Sequence, residues 1–456
     1  MSVEDLAHRA EQLGLDAILL SENFTLRYEY GLPPLRQLLR VAVSYPSLLD
    51  YGIERYLREV RDTQARHPNL LLIPGIEAAP FSYWTGSLLT GDLTLHDTQK
   101  NLLVFGLSEP AQYRGLPAQG NPWSYQLDGV SLVSVTVPVL CLLGGIGVVL
   151  RRRRAIRDGH SLTVGPGWVA LATALFLFGL SGAWAAWPPG HTAFSAYDGQ
   201  EGYAPYQHFI DQARKSGGLT FWSMTEARDF TTRDFGPLGT VTVRTDPHPE
   251  ALILTKNLSG FGGLYQEAHH VVDPGGLWDQ LIEQYARGHR PDPPVMLGEI
   301  AFHSLAQAKK DLDQVLTVVS VERRSVPSLM ESIRTGRLYA VERQKPGYSL
   351  RLDTFALQCA SVGSVAMMGD VVDPAQCAQA TVRIRVSATD GGEHPITVRV
   401  VRASQVVSTT AGHTPLTADV VDTVRPDEPT AYRVLVTGSG ELLSNPIYLR
   451  PTETRP

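Results

Sequence analysis

The sequence predicts a mixed α/β protein that is interrupted by two membrane helices and followed by a small all-β domain. Three observations predict this organisation. Helical and strand patterns alternate along the first part of the chain and resume after residue 190, as in an α/β fold. Two long apolar runs without charge interrupt the alternation. From about Tyr348 the apolar residues recur with a period of two, which is typical of a β-sandwich.

The α/β part is predicted from amphipathic segments that lead into short apolar runs. Ala7, Ala10 and Leu13 have near-helical spacing and precede an apolar run at residues 17–20. A second helix is predicted over residues 53–63, before a strand at 70–73. After the membrane segment, a predicted helix ends at the Gly217-Gly218 pair, a common signal for a helix end. Further predicted elements are a strand at 219–222 and a helix at 277–285, and the family resemblance described below implies a helix at 326–340.

Two apolar runs predict a membrane hairpin. Residues 129–150 contain no charged residue and are followed at once by four arginines at 151–154. The second run covers residues 168–187. Each run has roughly the 20 apolar residues that a spanning helix needs. Trp168, Trp184 and Trp187 lie where interfacial aromatic residues are expected. A pair of buried core helices is the alternative, and the basic stop between the runs argues against it.

The basic loop also predicts an orientation in the cell membrane. Short cytoplasmic loops are rich in Lys and Arg, so the loop at residues 151–167 is expected on the cytoplasmic side. Both flanking portions, residues 1–128 and 190–456, are then expected on the extracytoplasmic side. The segment from Met1 to Leu6 begins as an amphipathic helix and shows no signal-peptide pattern.

Composition excludes some classes of site and leaves one question open. The formal net charge of −6 gives no electrostatic reason to expect nucleic-acid binding. Three cysteines are too few for a Cys-rich zinc site. Cys141 lies inside the first predicted span. Cys359 and Cys377 lie in the predicted sandwich, where a disulfide and two buried thiols are both possible from the sequence.

Five apolar segments end in polar or small residues whose order along the chain resembles a known family. The segments begin at Leu15, Leu70, Lys100, Gly217 and Gly298. Together they resemble the strand ends of the PHP superfamily (polymerase and histidinol phosphatase domains). That family builds a two- or three-metal phosphoesterase centre on a distorted seven-stranded β/α barrel. Its strand ends carry His-x-His, Thr-Asp-His, Gly-x-Glu, a lone His, a His-Pro and finally Asp-x-His.

Comparison with this pattern predicts that the metal centre has largely been lost. Glu77 and His303 keep the ligand type. The first strand, which carries His-x-His, has no counterpart, and together with the missing export signal this predicts either that the true start lies upstream or that the gene has decayed. At four further positions the family's ligands are replaced, namely by Asn23, Asn101, Met224 and Ala301.

The candidate metal ligands are therefore Glu77, His303, Glu22 and His96, for a divalent Mn, Zn or Fe ion that is weakly held or absent. A carboxylate at the end of a barrel strand suits a divalent cation. Glu77 is equally expected to be a structural acid that is hydrogen-bonded to backbone amides. A lone histidine such as His303 is more often a hydrogen-bonded core residue than a ligand. His96 is similarly expected to be a solvated loop residue. An improvised site could use His208, His269 and His270.

The resemblance implies a barrel in two parts, over residues 1–128 and 190–345, separated by the hairpin at 129–189 and followed by a sandwich at 346–456. The leading hypothesis is a membrane-anchored PHP-like protein that acts as a binding or scaffolding module, with a small molecule or a protein as partner. The alternative is a metal-dependent phosphoesterase with an altered metal set. A third hypothesis is a non-functional fragment of a longer ancestral enzyme.

Overall fold

The computed structural model describes most of the chain, and all structural statements concern the residues that it describes. These are residues 2–33, 36, 40–127, 129–157, 166–185, 190–265, 270–302, 311–343, 347–359, 365–425, 428–438 and 440–451.

The first half of the α/β body, up to residue 127, contains four helices and nine strands. They are α1 (Val3–Gln12), β1 (Ala17–Leu19), β2 (Glu22–Asn23), β3 (Arg27–Gly31), β4 (Arg40–Ser44), α2 (Leu48–Tyr51), α3 (Ile53–Arg66), β5 (Leu71–Ile73), β6 (Gly75–Ala78), β7 (Tyr83–Thr85), β8 (Thr94–His96), β9 (Leu102–Phe105) and α4 (Pro110–Arg114).

Two long helices follow, and the body then resumes. The long helices are α5 (Gly129–Arg157) and α6 (Pro166–Ala185). The second half of the body contains α7 (Ala204–Lys215), β10 (Leu219–Trp222), β11 (Asp229–Asp234), β12 (Thr240–Thr245), α8 (Ala251–Leu254), β13 (Gly260–Leu264), α9 (Leu277–Ala286), β14 (Val295–Gly298), β15 (Val315–Val319), α10 (Val326–Thr335) and β16 (Leu338–Arg343).

The central element of the body is a six-stranded sheet in the order β14-β13-β10-β9-β6-β2. Five of its strands are parallel to one another, and β9 alone runs antiparallel, between β6 and β10. A separate two-stranded parallel sheet joins β1 to β5. The mixed α/β class predicted from the sequence is confirmed. The pairing of the described strands does not close, so the predicted seven-stranded barrel is not shown.

The periodicity of the predicted helices explains where they pack. Along α3, Ile53, Tyr56, Leu57 and Val60 recur at helical spacing and are all buried in the main core. The predicted helix at 326–340 is too long. The helix ends at Thr335, because Gly336 adopts a left-handed φ of 78°, and the following residues form strand β16.

A small sheet that the sequence did not predict lies beside the central one. It has the order β11-β12-β8-β7, and a second hairpin, β3-β4, packs near it. The two share a separate apolar cluster that includes Tyr30, Trp84 and Phe235. Strands β7 and β8 have three residues each, which is too short to show a periodicity, whereas β12 alternates buried residues with less buried ones and could have been recognised.

Helix α5 contains a segment, Leu132–Arg151, that is long and apolar enough to cross a membrane. The apolar stretch of α6, Gly167–Ala183, is shorter and does not reach that length. The structure thus has one candidate span among the described residues, where the sequence predicted two. The two helices pack closely: a Cβ atom at Gly179 would lie 2.6 Å from the backbone nitrogen of Leu142 and 2.7 Å from the carbonyl oxygen of Pro138.

The region after Ser349 is rich in β-structure, as predicted. Its strands are β17 (Leu350–Cys359), β18 (Val365–Met367), β19 (Val371–Val372), β20 (Gln379–Ala388), β21 (Pro395–Arg402), β22 (Gln405–His413), β23 (Leu416–Thr423), β24 (Thr430–Gly438), β25 (Gly440–Ser444) and β26 (Ile447–Leu449). One sheet has the order β18-β17-β20-β23. Cys359 and Cys377 form a disulfide, with their Cα atoms 4.7 Å apart, which decides between the two alternatives that the sequence left open.

The second sheet of this region joins it to the body. Its main path is β15-β16-β25-β24-β21-β22, so strands of the α/β body and strands of the β-rich region share one hydrogen-bonded sheet. Arg433, in β24, pairs with Asp279 of α9 through two hydrogen bonds, of 2.7 Å from Nε and 3.0 Å from Nη2. Arg433 and Asp279 are only 2% and 4% exposed, and the guanidinium lies over the ring of Trp278. The two regions are therefore connected by a shared sheet and a buried ion pair.

Candidate functional site

The ends of the central strands bring five polar side chains to one edge of the sheet. Asn23 ends β2 and Glu77 lies in β6. Ser223 directly follows β10 and Glu299 directly follows β14. These strands are parallel, and Asn101 directly precedes the antiparallel β9, so all five residues lie at the same edge. We call this set, Asn23, Glu77, Asn101, Ser223 and Glu299, the polar edge.

The polar edge lies above a small apolar core. In the pairing register, Asn23 is opposite Glu77, Glu77 is opposite Leu103, and Leu103 is opposite Phe221. Paired residues of neighbouring strands lie on the same face of a sheet. Leu103 and Phe221 belong to an apolar cluster with Phe105, Val295 and Leu297. The carboxylates are consequently placed at the boundary between a polar edge and a dry interior.

Glu77 is held by an amide. The side-chain Nδ2 of Asn101 donates a hydrogen bond of 2.5 Å to Oε1 of Glu77, and the same nitrogen lies 3.1 Å from Oε1 of Gln99. Burial raises the pKa of Glu77 from its ordinary value of 4.5 to about 7, and the bond from Asn101 opposes this rise only partly. Asn101 is thus a donor to Glu77, at the position where the PHP pattern has a metal-binding histidine.

Glu299 is held by two donors from the end of β10. Ser223 Oγ donates to Oε2 over 2.8 Å, and the backbone N–H of Met224 donates to Oε1 over 2.7 Å. Burial raises the pKa of Glu299 to about 7, against the effect of both donors, and the negative charge of Glu77 raises it further.

A glycine makes room for Glu299. Gly262 lies in β13 against the carboxylate, and a Cβ atom built at this position would lie 2.0 Å from Oε1 and 2.1 Å from Cδ of Glu299. No side chain can occupy position 262 while Glu299 keeps this position. The glycine in the middle of the strand is thus explained by the close approach of the carboxylate.

Glu299 is the residue of the site that the sequence interpretation missed. It assigned the end of the last ligand strand to Ala301 and His303, two and four residues further along. Strand β14 instead ends at Gly298, so the first polar residue after the apolar run Val295–Gly298 is Glu299. The signal was present, because Glu77 likewise directly follows an apolar residue at the end of its own short run.

Two of the predicted ligands lie away from the polar edge. Glu22 pairs with Ile76, and the next residues along the two strands, Asn23 and Glu77, pair with each other. Because successive side chains of a strand point to opposite faces, Glu22 projects from the other face of the sheet. Burial and the charge of Glu59 raise the pKa of Glu22. His96 lies in β8 of the small sheet, where it stacks on Tyr83 at 4.6 Å and its Nε2 is 2.8 Å from Thr85 Oγ1.

The structure describes two of the four remaining histidines of the prediction, and neither of these two makes a contact with the polar edge. His303 and His269 lie outside the described residues. His208 lies in α7 and packs against Phe194, and His270 is exposed beside Asp273. Among the residues that the structure describes, no group of three or more His, Cys, Asp and Glu side chains is arranged to hold a metal ion.

Comparison with known proteins adds no identification. No protein-family model matches the chain, and no curated protein matches it.

Proposed function

We propose that this protein is a membrane-anchored binding or scaffolding protein, built on a PHP-like barrel whose metal centre has been replaced by a network of hydrogen bonds. One observation carries the proposal. Both carboxylates of the polar edge are already engaged by hydrogen-bond donors, Glu77 by Asn101 and Glu299 by Ser223 and the N–H of Met224. A donor that points at a carboxylate oxygen occupies the position that a cation would take.

The chemistry of these groups does not suit a PHP-type metal centre. Zn and Fe sites in proteins use imidazole or thiolate ligands together with carboxylates, whereas Mn is also held by oxygen ligands alone. The polar edge offers two carboxylates, two amides and a hydroxyl. The amide nitrogen of Asn101 cannot bind a metal, and its position is fixed by the bonds to Glu77 and Gln99. We therefore assign no metal-dependent step to these residues.

A scaffolding role is supported by the way in which the two regions join. The shared sheet from β15 to β22 runs from the body into the β-rich region, and Arg433 and Asp279 pair beneath it. A hinge between the regions would break backbone hydrogen bonds and expose a buried ion pair. A rigid unit of this kind presents its surfaces to a partner in a constant relative orientation.

Anchoring through a two-helix hairpin is supported by chain topology. Strands β9 and β10 are neighbours in one sheet, although α5 and α6 lie between them in the sequence. If α5 crosses a membrane, the chain must return to the same side, and the closely packed α6 is the segment that can do so. Large apolar side chains of both helices are exposed, including Leu140, Leu143, Leu177 and Leu180. The arginines at 151–154 favour a cytoplasmic turn of the hairpin, because short cytoplasmic loops are rich in basic residues.

A metal-dependent phosphoesterase is the second candidate, and one observation favours it. Glu77 and Glu299 are two interacting carboxylates whose pKa values are both raised to about 7. A bound cation would relieve this desolvation and repulsion. In this alternative the metal set would centre on Glu77 and Glu299, with His303 as a further ligand, because Glu22 and His96 lie elsewhere.

Metal analysis and turnover of the purified full chain distinguish the two candidates. We expect less than stoichiometric Mn and Zn after incubation and dialysis, and no hydrolysis of a generic phosphomonoester or phosphodiester. The variants are Glu77→Gln and Glu299→Gln, with Glu22→Gln on the opposite face as the matched control. Stoichiometric metal and turnover that Glu77→Gln and Glu299→Gln abolish, and Glu22→Gln does not, would establish the enzyme and refute the binding protein.

A further inference from the structure

The chain is clamped to itself at the base of the two long helices. Gln126 and His191 exchange both backbone hydrogen bonds, of 2.8 and 3.1 Å, three residues before α5 begins and six residues after α6 ends. Gly190 makes the close approach possible. It has a φ of 103°, and a Cβ atom there would lie 2.9 Å from both the carbonyl oxygen of Gln126 and Cβ of Tyr125. We call this pair of backbone hydrogen bonds between Gln126 and His191 the clamp. It brings the start of α5 and the end of α6 to the body at one point.

The segment before the clamp is fixed to the body. Asn121 is fully buried, and its amide donates to the carbonyl oxygens of Arg114 and Leu116 over 3.0 and 2.7 Å. Its Oδ1 accepts from the N–H of Trp123 over 3.3 Å. Because these bonds satisfy a buried amide, the turn that carries Trp123 is held in a fixed position on the surface of the body.

Large apolar side chains are exposed at this place. Trp123 is 56% and Leu127 66% exposed to solvent. The guanidinium carbon of Arg114 lies 5.4 Å from the ring centroid of Trp123, and the same guanidinium forms an ion pair with Glu54. A tryptophan, an aliphatic residue and an arginine beside a spanning helix are the residue types that lie in the headgroup region of a bilayer.

We propose that Arg114, Trp123 and Leu127 form a lipid-binding surface that holds the α/β body directly against phospholipid headgroups. The inference rests on the proposed membrane anchoring. It goes beyond that anchoring, because a tethered domain need not touch the bilayer. Leu127 is only five residues from Leu132, where the candidate span begins, so even a fully extended chain would hold it within roughly 18 Å of that point. The clamp fixes the orientation of the body, with this surface towards the membrane.

The experiment measures the depth of single fluorescent labels in the full chain, reconstituted in phosphatidylcholine and phosphatidylglycerol vesicles. Cys141→Ser gives a background without a free thiol, since Cys359 and Cys377 are bridged. An environment-sensitive label is attached at Trp123→Cys or Leu127→Cys. Leu140→Cys serves as the deep reference, and Val421→Cys, which is 63% exposed on β23, serves as the aqueous reference. Quenching is compared between lipids with a nitroxide on the headgroup and on the acyl chain.

We expect the headgroup nitroxide to quench labels at 123 and 127 about threefold more than the label at 421, and the acyl nitroxide to quench the label at 140. If 140 is quenched while 123 and 127 behave like 421, the lipid-binding surface is refuted and the anchoring stands. If the label at 140 is not quenched by either lipid, the anchoring fails and the surface with it. Labels at 123 and 127 that are protected from aqueous iodide but unquenched by lipid would indicate a protein partner and would also refute the proposal.

Discussion

Two places in the molecule bury acidic side chains, and they do so by different means. At the junction of the body and the β-rich region, Asp279 is neutralised by Arg433 through two hydrogen bonds. At the polar edge, Glu77 and Glu299 accept hydrogen bonds from neutral donors. The paired carboxylate of Asp279 contributes to structure. Among the described residues no cation pairs with Glu77 or Glu299, and burial raises the pKa of both to about 7, so their protonation depends on pH close to neutrality.

The largest expected effect is at the junction. Arg433→Ala leaves Asp279 buried without its cation, and we expect the free energy of unfolding to fall by about 3–5 kcal/mol. Equilibrium denaturation in urea, in detergent, measures the loss. The control is Arg383→Ala, which removes an exposed pair with Asp419 and should cost about 1 kcal/mol or less. The double variant Arg433→Met, Asp279→Leu should recover most of the stability, and a double variant as unstable as Arg433→Ala would contradict this account.

The next effect is the pH dependence that arises at the polar edge. The pKa values of Glu77 and Glu299 are raised from 4.5 to about 7 in the folded protein, so folding favours their protonated forms. Their contribution to stability is fully present below pH 4.5 and is lost as pH rises through 7, by up to about 3 kcal/mol per glutamate. Unfolding free energies between pH 4.5 and 8.5 measure this decline. Glu77→Gln and Glu299→Gln should each flatten it, whereas an unchanged slope in both variants would show that neither glutamate titrates near neutrality.

A smaller effect is expected from the glycine beneath Glu299. Gly262→Ala places a methyl group where the carboxylate lies, so Glu299 must leave Ser223 and the N–H of Met224. We expect a loss of about 1–3 kcal/mol, since buried donors lose their partner. Thermal unfolding measures it, with Gly115→Ala as a control whose added Cβ makes only ordinary contacts. The substitution should also destabilise the protein less in a Glu299→Ala background. Equal losses of stability in both backgrounds would show that Gly262→Ala does not act by displacing Glu299.

The smallest expected effect comes from the donor to Glu77. Asn101→Ala should lower the free energy of unfolding by about 1 kcal/mol at pH 8.5, where Glu77 is ionised, and by less at pH 5. The measurement is denaturant unfolding at the two pH values. Gln99→Ala removes only the second contact of the same amide and serves as the control. A loss of stability that is equal at both pH values would mean that Asn101 acts through packing rather than through the charge of Glu77.

The sequence predicted the regular parts of the fold because their apolar periodicity is set by burial. The order of an α/β region and a β-rich region, the amphipathic helix α3 and the strand β10 are all recovered. Strand β20 of the β-rich region alternates buried and more exposed residues, and such alternation is visible in a sequence. The disulfide could not be decided, because it depends on the Cα separation of Cys359 and Cys377.

The polar edge was only half predicted, for a physical reason. Glu77 was chosen from the resemblance to the PHP pattern, whereas Glu299 was passed over because the end of the last ligand strand was assigned to Ala301 and His303 instead of Gly298. Glu22 faces away from the polar edge because of the pairing register between β2 and β6. A shift of one residue in that register would move its side chain to the other face of the sheet. Local pattern therefore indicated which strands end at the site, and pairing between distant strands decided which side chains reach it.

The insertion of α5 and α6 between neighbouring strands has a consequence for biosynthesis. Strand β9 is synthesised roughly 110 residues before β10, its partner in the sheet. At typical rates of translation this interval lasts roughly 5–25 s, during which β9 exposes an unpaired apolar edge. The sheet cannot be completed until the ribosome has synthesised α5 and α6. Membrane insertion would then precede folding of the body, and a nascent chain that failed to insert would expose an unfinished sheet to chaperones and proteases.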